Sequence, residues 1–228
     1  RLEALVDSDI IDVGCESSRP GAQPISEQEE IERLSAITKF INKDCFFSID
    51  TYKHKVAKYA LNNGFKMIND IYAGRYSNNK MFELASDFNV PIVLMHMRGS
   101  PLDMQENTRY ESIIDDICSF FEERIRIAKD FGISDENIIL DPGIGFGKSL
   151  DDNFIILKNI KKFKKIGYKV LIGLSRKAFL SYGKDKPGDR LSATISMNTL
   201  SIINGADIIR VHDSLESAKM RDVLIKYS

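Results

Sequence analysis

Seven short apolar runs, rich in β-branched residues, recur along the chain, and each gives way to polar or charged residues. The runs are Ile10–Val13, Phe46–Ile49, Met67–Ile68, Ile92–Met95, Ile138–Leu140, Val170–Leu174 and Ile208–Val211. Their ends read Cys15-Glu16-Ser17-Ser18-Arg19, Asp50-Thr51, Asn69-Asp70, His96, Asp141, Ser175-Arg176-Lys177 and His212-Asp213. Helical periodicity fills the intervals. Ser26 with Glu29 predicts a capping box that opens a helix over 27–42, with Ile31, Leu34, Ile37, Thr38 and Ile41 on one face. Further helices are predicted over 53–63, 79–88, 109–131, 151–166, 190–204 and 214–226, and Gly64, Gly132, Gly167 and Gly205 follow four of them as stops. Strands alternating with helices make parallel sheet through βαβ units. The expected fold is α/β, a (β/α)8 TIM barrel, whose site gathers at the C-terminal ends of the strands.

The strand count refines this picture. A closed barrel of this class needs eight strands, and seven runs are visible. The chain opens on Leu2–Val6, which reads as a helix end. The simplest expectation is that the first strand and its loop are missing, so that residues 1–228 form a single, N-terminally incomplete barrel domain. An open doubly wound sheet is the structural alternative. Such a sheet would concentrate its site at one switch point, whereas here polar residues finish every run.

Composition removes several classes. The net charge of −1 gives no basic field for nucleic acid or an anionic membrane. Lys161, Lys162, Lys164 and Lys165 read as a solvated helix face. Cys15, Cys45 and Cys118 are odd in number and far apart, which fits reduced thiols in a cytoplasm. No apolar stretch is long enough to span a bilayer, and no signal peptide is visible. His54, His96 and His212 lack zinc-like spacing.

The candidate chemistry lies at the run ends. The segment from Asp141 to Ser149, with Gly143, Gly145 and Gly147, fails as a phosphate loop, because that motif needs glycine where Pro142 stands. It reads better as a loop whose glycines let backbone approach a ligand, with Asp141 either facing the barrel mouth or capping a turn. Ser17, Ser18 and Arg19 suit an anion such as phosphate, since arginine offers a planar fork of donors; an ordinary surface turn is the other reading. Asp50, Asn69 and Asp70 suit a ligand with several N–H donors, or else an internal salt-bridge layer. Arg210 and His212 share one strand face and stand as anion ligands beside Lys177, or pair with a carboxylate. His96 is as readily a core histidine as a functional one, and Met95 and Met97 read as packing residues. The implied substrate has a donor-rich polar head and an anionic tail for which phosphate or pyrophosphate is suited.

Seven segments together resemble the dihydropteroate synthase family of pterin-binding barrels. They are Asp9–Gly14 with Glu16–Gly21, Ser48–Thr51, Ile68–Asp70, Leu94–Gly99, the 140–148 glycine loop, Gly173–Lys177 and Arg210–Asp213. Members join 6-hydroxymethyl-dihydropterin pyrophosphate to p-aminobenzoate, in folate biosynthesis, and are sulfonamide targets. The resemblance implies that Asp50, Asn69, Asp141 and Lys177 hold the pterin. It gives Ser18, Arg210 and His212 to the pyrophosphate, and Arg19, Phe146, Ser175 and Lys177 to the p-aminobenzoate pocket. Arg210, His212 and Lys177 are the implied catalytic residues. It also implies Mg²⁺, whose family ligand lies in the N-terminal loop, outside this chain, and a homodimer through late helices. Helices around 190–204 and 214–226 carry Leu200, Ile202, Ile203, Leu224 and Ile225, which serve either core or interface. The chain departs from the family in Ser18, where threonine is usual; a hydroxyl remains. Two other readings stand beside this one: a pterin-dependent methyltransferase of the same superfamily, with less need of the cationic residues, and a non-catalytic pterin-binding module.

Overall fold

The computed structural model describes residues 8–19, 21–41, 44–181 and 184–227. The predicted helix end at Leu2–Val6, Pro20 of the first loop and residue 42 of the first helix lie outside the described residues. Seven parallel strands form the sheet: β1 (Ile11–Val13), β2 (Phe47–Asp50), β3 (Met67–Asp70), β4 (Ile92–Met95), β5 (Ile138–Asp141), β6 (Lys169–Ile172) and β7 (Ile208–Ile209). They pair in chain order from β1 to β7. A doubly wound sheet would reverse that order at its switch point, and this one does not. The helices are α1 (Glu27–Thr38), α2 (His54–Asn62), α3 (Lys80–Asp87), α4 (Ile113–Asp130), α5 (Leu150–Lys158), α6 (Ile160–Lys164), α7 (Leu191–Ile203) and α8 (Ser214–Tyr227).

Alternation along the strands divides the apolar residues between two layers. Ile49, Ile68, Ile92, Leu94, Ile138, Leu140, Val170 and Ile172 pack outward in the main core, against helix residues such as Leu34, Val56, Phe82, Phe121 and Phe163. Met67, Val93, Ile139 and Leu171 pack inward as a small second core, bordered by Ile10, Phe46 and Ile208. β3, β4 and β5 are buried along their whole length, as parallel strands covered on both faces must be. β1 and β7 end the hydrogen-bonded order. Between them lies a cavity of about 540 Å³, reaching from the barrel interior at Met67 and Leu171 to Ile202 on α7 and Ala218 on α8.

Four expectations change. The first helix, predicted to run to residue 42, ends at Thr38, where the Phe40 and Ile41 N–H groups donate to the Ile37 and Thr38 carbonyls in tighter turns. The helix predicted over 151–166 is broken at Asn159, whose backbone (φ −111°, ψ 15°) leaves the helical region while its side chain donates to the Ile155 carbonyl. The helix predicted from 109 begins at Ile113, after Ser112. The capping box at Ser26 is half formed: Ser26 Oγ accepts the Glu29 N–H at 3.1 Å, but the Glu29 carboxylate turns to Arg33 at 2.5 Å. The full box stands at α5, where Ser149 and Asp152 cap each other. Among the described residues, no helix is long and apolar enough to cross a membrane.

Candidate active site

The inward columns of the barrel build the site. On every strand but β4, where Val93 leads to Met95, the inward column turns from apolar to polar within two to four residues of the inner core. Ile10 leads to Asp12, Phe46 to Ser48 and Asp50, Met67 to Asn69, Ile139 to Asp141, Leu171 to Gly173 and Ser175, and Ile208 to Arg210 and His212. Asp12, Asn69, Ser175, Lys177, Arg210 and His212 all line the cavity between β1 and β7. Asp70 has the opposite parity. It turns away and caps the following turn, accepting the N–H groups of Tyr72 (2.9 Å) and Gly74 (2.7 Å). It therefore belongs to the scaffold, contrary to its reading as a cavity carboxylate.

Arg210 is the electrostatic centre. Its Nε donates to Asp12 Oδ2 at 2.6 Å and its Nη2 to Asp50 Oδ2 at 2.7 Å. Asn69 Nδ2 donates to the same Asp12 oxygen at 3.0 Å. Arg210 is thus a bridge between two carboxylates, the paired reading of this residue, rather than an unengaged anion ligand. Burial pushes the Asp50 carboxyl up to about 7, with help from the nearby Asp12 charge, and Arg210 only partly offsets this. Burial also works against the charge on Arg210, but Asp50 and Asp12 outweigh it and hold the guanidinium protonated. His212 is set by Ser175: its Nδ1 lies 3.0 Å from Ser175 Oγ, which also accepts its backbone N–H at 3.2 Å. Burial, then Arg210 and Arg176, lower the His212 pKa.

The opposite wall is the glycine loop. Asp141 is buried, and its Oδ1 accepts the Gly143 N–H at 2.7 Å, so the turn-capping reading holds for that oxygen. Its carboxyl is raised by burial. A β-carbon on Gly143, at φ +69°, would collide with the His96 carbonyl oxygen. Glycine is therefore required for loop and strand to meet. Lys177 Nζ donates to the Ile144 carbonyl and sits 4.6 Å from the Phe146 ring centroid. Burial lowers Lys177 to about 8, against the pull of Asp141. Phe146 packs beside the cluster of Tyr52, Ile71, Met95, Met97 and Met104, where Met95 and Met97 are packing residues as expected.

Beneath this loop lies a lysine the sequence reading passed over. Lys148 is buried and bonds His96 Nδ1 (3.0 Å), the His96 carbonyl (3.1 Å) and the Phe146 carbonyl (2.9 Å). Burial brings Lys148 down to about 7 and His96 down to about 2, so His96 is a neutral acceptor of the scaffold. Gln105, Tyr110 and Asn153 tie down three further points of the loop, at Gly145 O, Gly147 O and Gly145 N.

Ser18 and Arg19 sit on the loop after β1, and no bond joins either side chain to Arg210 or His212. Arg19 is near enough to act electrostatically on His212. The loop is tied at both ends: Gly21 N–H to the Pro101 carbonyl (3.0 Å), and Ile25 N–H to Glu16 Oε2 (2.8 Å). Lys53, only 3 % exposed, holds Glu16 (2.5 Å), Glu30 (2.8 Å) and the Ile25 carbonyl (2.7 Å). Asp12 and Lys53 are the residues most clearly missed. For Asp12 the signal was a carboxylate inside an apolar run; for Lys53 the partners lie 37 and 23 residues away, beyond local pattern.

Such a barrel, with acceptors for a donor-rich ring on one wall and cations on the other, defines a pterin-binding class of enzyme. The family profile described as "Pterin binding enzyme" matches residues 6–212. A dihydropteroate synthase of Clostridium beijerinckii is 43% identical over 226 residues, covering 96% of this chain and 81% of its own length. Among solved structures, the Yersinia pestis dihydropteroate synthase in a sulfonamide drug complex superposes with a TM-score of 0.94 at 32% identity, over 99% of this chain and 83% of that one. The Thermus thermophilus dihydropteroate synthase in complex with 4-aminobenzoate gives 0.89 at 32% identity, over 99% and 86%. The chain belongs to the dihydropteroate synthase family.

Proposed function

We propose that the barrel mouth carries out the dihydropteroate synthase reaction with the residues assigned above. The enzyme condenses 6-hydroxymethyl-7,8-dihydropterin pyrophosphate with p-aminobenzoate to 7,8-dihydropteroate and pyrophosphate. The nitrogen–carbon bond forms at the pterin methylene, the carbon–oxygen bond to pyrophosphate breaks, and the amine loses a proton. Asp50, Asn69 and Asp141 accept from the pterin N–H groups, and Lys177 donates to the ring oxygen. Arg210 and His212, with Ser18 from the loop, bind the departing pyrophosphate. Arg19, Phe146 and Ser175, beside Lys177, receive p-aminobenzoate, the position for which sulfonamides compete. Fixed charges aimed at the leaving group, and the held position of the amine, supply the rate; no side-chain nucleophile is needed. The observation that carries this reading is the meeting of Asn69, Lys177, Arg210 and His212 in one cavity.

Mg²⁺ would enter as companion to the diphosphate, whose oxygens are its natural ligands. Among the described residues no group of three His, Cys, Asp or Glu side chains could hold a metal. Asp12 and Asp50 already give an oxygen each to Arg210. The described residues do not form a metal cage. A homodimer is supported by large apolar side chains left exposed on α7 and α8, among them Leu200, Ile203, Val223 and Ile225. Three cysteines without disulfides agree with a cytoplasmic setting.

The test is pyrophosphate release from the dihydropterin ester with Mg²⁺, with and without p-aminobenzoate. Release coupled to dihydropteroate formation is the expected result. Pterin binding without product would instead point to a binding module.

A further inference from the structure

Arg176 does not face the cavity, yet the chain holds it at every available point. Its backbone is left-handed, φ +57°, a conformation natural to glycine and costly to a branched or long side chain. Its N–H donates to Thr194 Oγ1 on α7 at 3.0 Å. Its carbonyl accepts from Arg190 Nη1 at 2.9 Å, and Arg190 is itself buried and anchored on Ser181. Its guanidinium makes a two-point ion pair with Asp213, Nε to Oδ2 at 2.8 Å and Nη2 to Oδ1. On either side in the chain, Ser175 and Lys177 both line the cavity. Asp213 follows His212, and His212 is bonded to Ser175.

We infer that Arg176 is a positioning residue that locks the ends of β6 and β7 together, so that Ser175, Lys177 and His212 meet the substrate in one fixed arrangement. An arginine stands where the backbone favours glycine because its side chain performs this lock. The inference rests on the dihydropteroate synthase reading for its kinetic consequence, but not for its structural one.

Arg176→Gly separates the two contributions, since glycine relieves the backbone and removes only the ion pair. His212 reports on the site. The charged groups around it are Arg210 on its own strand, Arg176 after β6, Arg19 from the loop after β1, and Asp213 beside it. The three histidines make its ring signal accessible by NMR, with His212→Gln as the assignment control. The expected results are a melting temperature close to wild type, kcat lowered about tenfold, KM for the pterin ester within about twofold, and His212 titrating at higher pH. The shift follows from losing one cation and freeing the Asp213 carboxylate. Asp213→Asn, which leaves the Arg176 backbone intact, should lower kcat by a similar factor but move His212 to lower pH. The double variant should be no worse than either single one. Wild-type kcat with an unmoved His212 titration in both single variants overturns the inference. So does a kcat loss in Arg176→Gly that Asp213→Asn does not share. If the wild-type protein makes no dihydropteroate, the functional reading fails, while the His212 titrations still decide whether the lock exists.

Discussion

The glycine-loop wall and the seam between β7 and β1 form opposite sides of one mouth, yet they are built differently. The loop from Gly143 to Ser149 is latched by Lys148, Gln105, Tyr110 and Asn153, mostly through backbone groups. Its shape is set by contacts within the chain. Across the mouth, β1 and β7 have three and two residues and their side chains are mostly half-buried; Arg210, just after β7, reaches Asp12 on β1 and Asp50 at the end of β2 through ionic side-chain pairs. Under the proposed function, the first wall meets the pterin ring, and in the second Arg210 exchanges its carboxylates for phosphate oxygens.

The largest expected break in this contrast is Arg210→Ala. Removing a preorganised donor to a developing anion costs roughly 10²–10³-fold in turnover. Pyrophosphate release should fall by that order, a larger effect than the loss in thermal melting that follows from leaving Asp12 and Asp50 without their shared cation. Near-normal turnover would show that the seam does not serve the leaving group.

Lys53→Met comes next, and its effect should be on folding. It strands the buried Glu30 and the half-buried Glu16, and breaking such a network costs about 3–5 kcal/mol. For a chain of this size that is roughly a 10 °C fall in melting temperature. Lys55→Met, which removes an exposed pair with Glu27, is the matched control and should cost no more than about 1 kcal/mol. Equal losses in urea denaturation would mean that the loop after β1 is not held from below.

A pH comparison sharpens the seam's role. Asp50 titrates at about 7 in the folded protein, above the usual range for an unfolded aspartate. Between those values the folded state binds more protons than the unfolded one. Asp50 therefore contributes stability at low pH that is lost as pH rises toward 7. Denaturation at pH 5 and pH 7 should show this slope in wild type and a flatter one in Asp50→Asn. The same slope in both would remove Asp50 as its source.

The smallest effect belongs to the latched wall. Ser149→Ala deletes the N-cap of α5 and should cost about 1 kcal/mol, with kcat/KM almost unchanged. A large kinetic loss would mean that the loop's shape depends on the helix beneath it.

The contrast also explains what was legible in the sequence. Strands were readable because burial on both faces writes continuous apolar runs, and Ile92–Met95 matches its run residue for residue. The inward columns were readable at their polar tips, so Asn69, Lys177, Arg210 and His212 could be placed together. Asp12 was hidden because a single carboxylate did not interrupt the pattern of its run. The pairing of Arg210 with Asp12 spans 198 residues, and that of Lys148 with His96 spans 52. Local periodicity holds no trace of such contacts. The break at Asn159 was equally invisible, since asparagine is tolerated within helices and only its own backbone shows the turn.

Neighbour-only pairing has a kinetic meaning as well. Every ladder from β1 to β7 joins strands consecutive in the chain, so each closes a short loop and the sheet can grow one unit at a time. The ion pairs of Asp12 with Arg210 and Asp9 with Arg221 span the most sequence among the described residues and are among the last that such growth would make. The substrate site is then completed in the final stage of folding. A ligand bound there fastens β1 to β7, and its affinity is read out as resistance of the described barrel to unfolding.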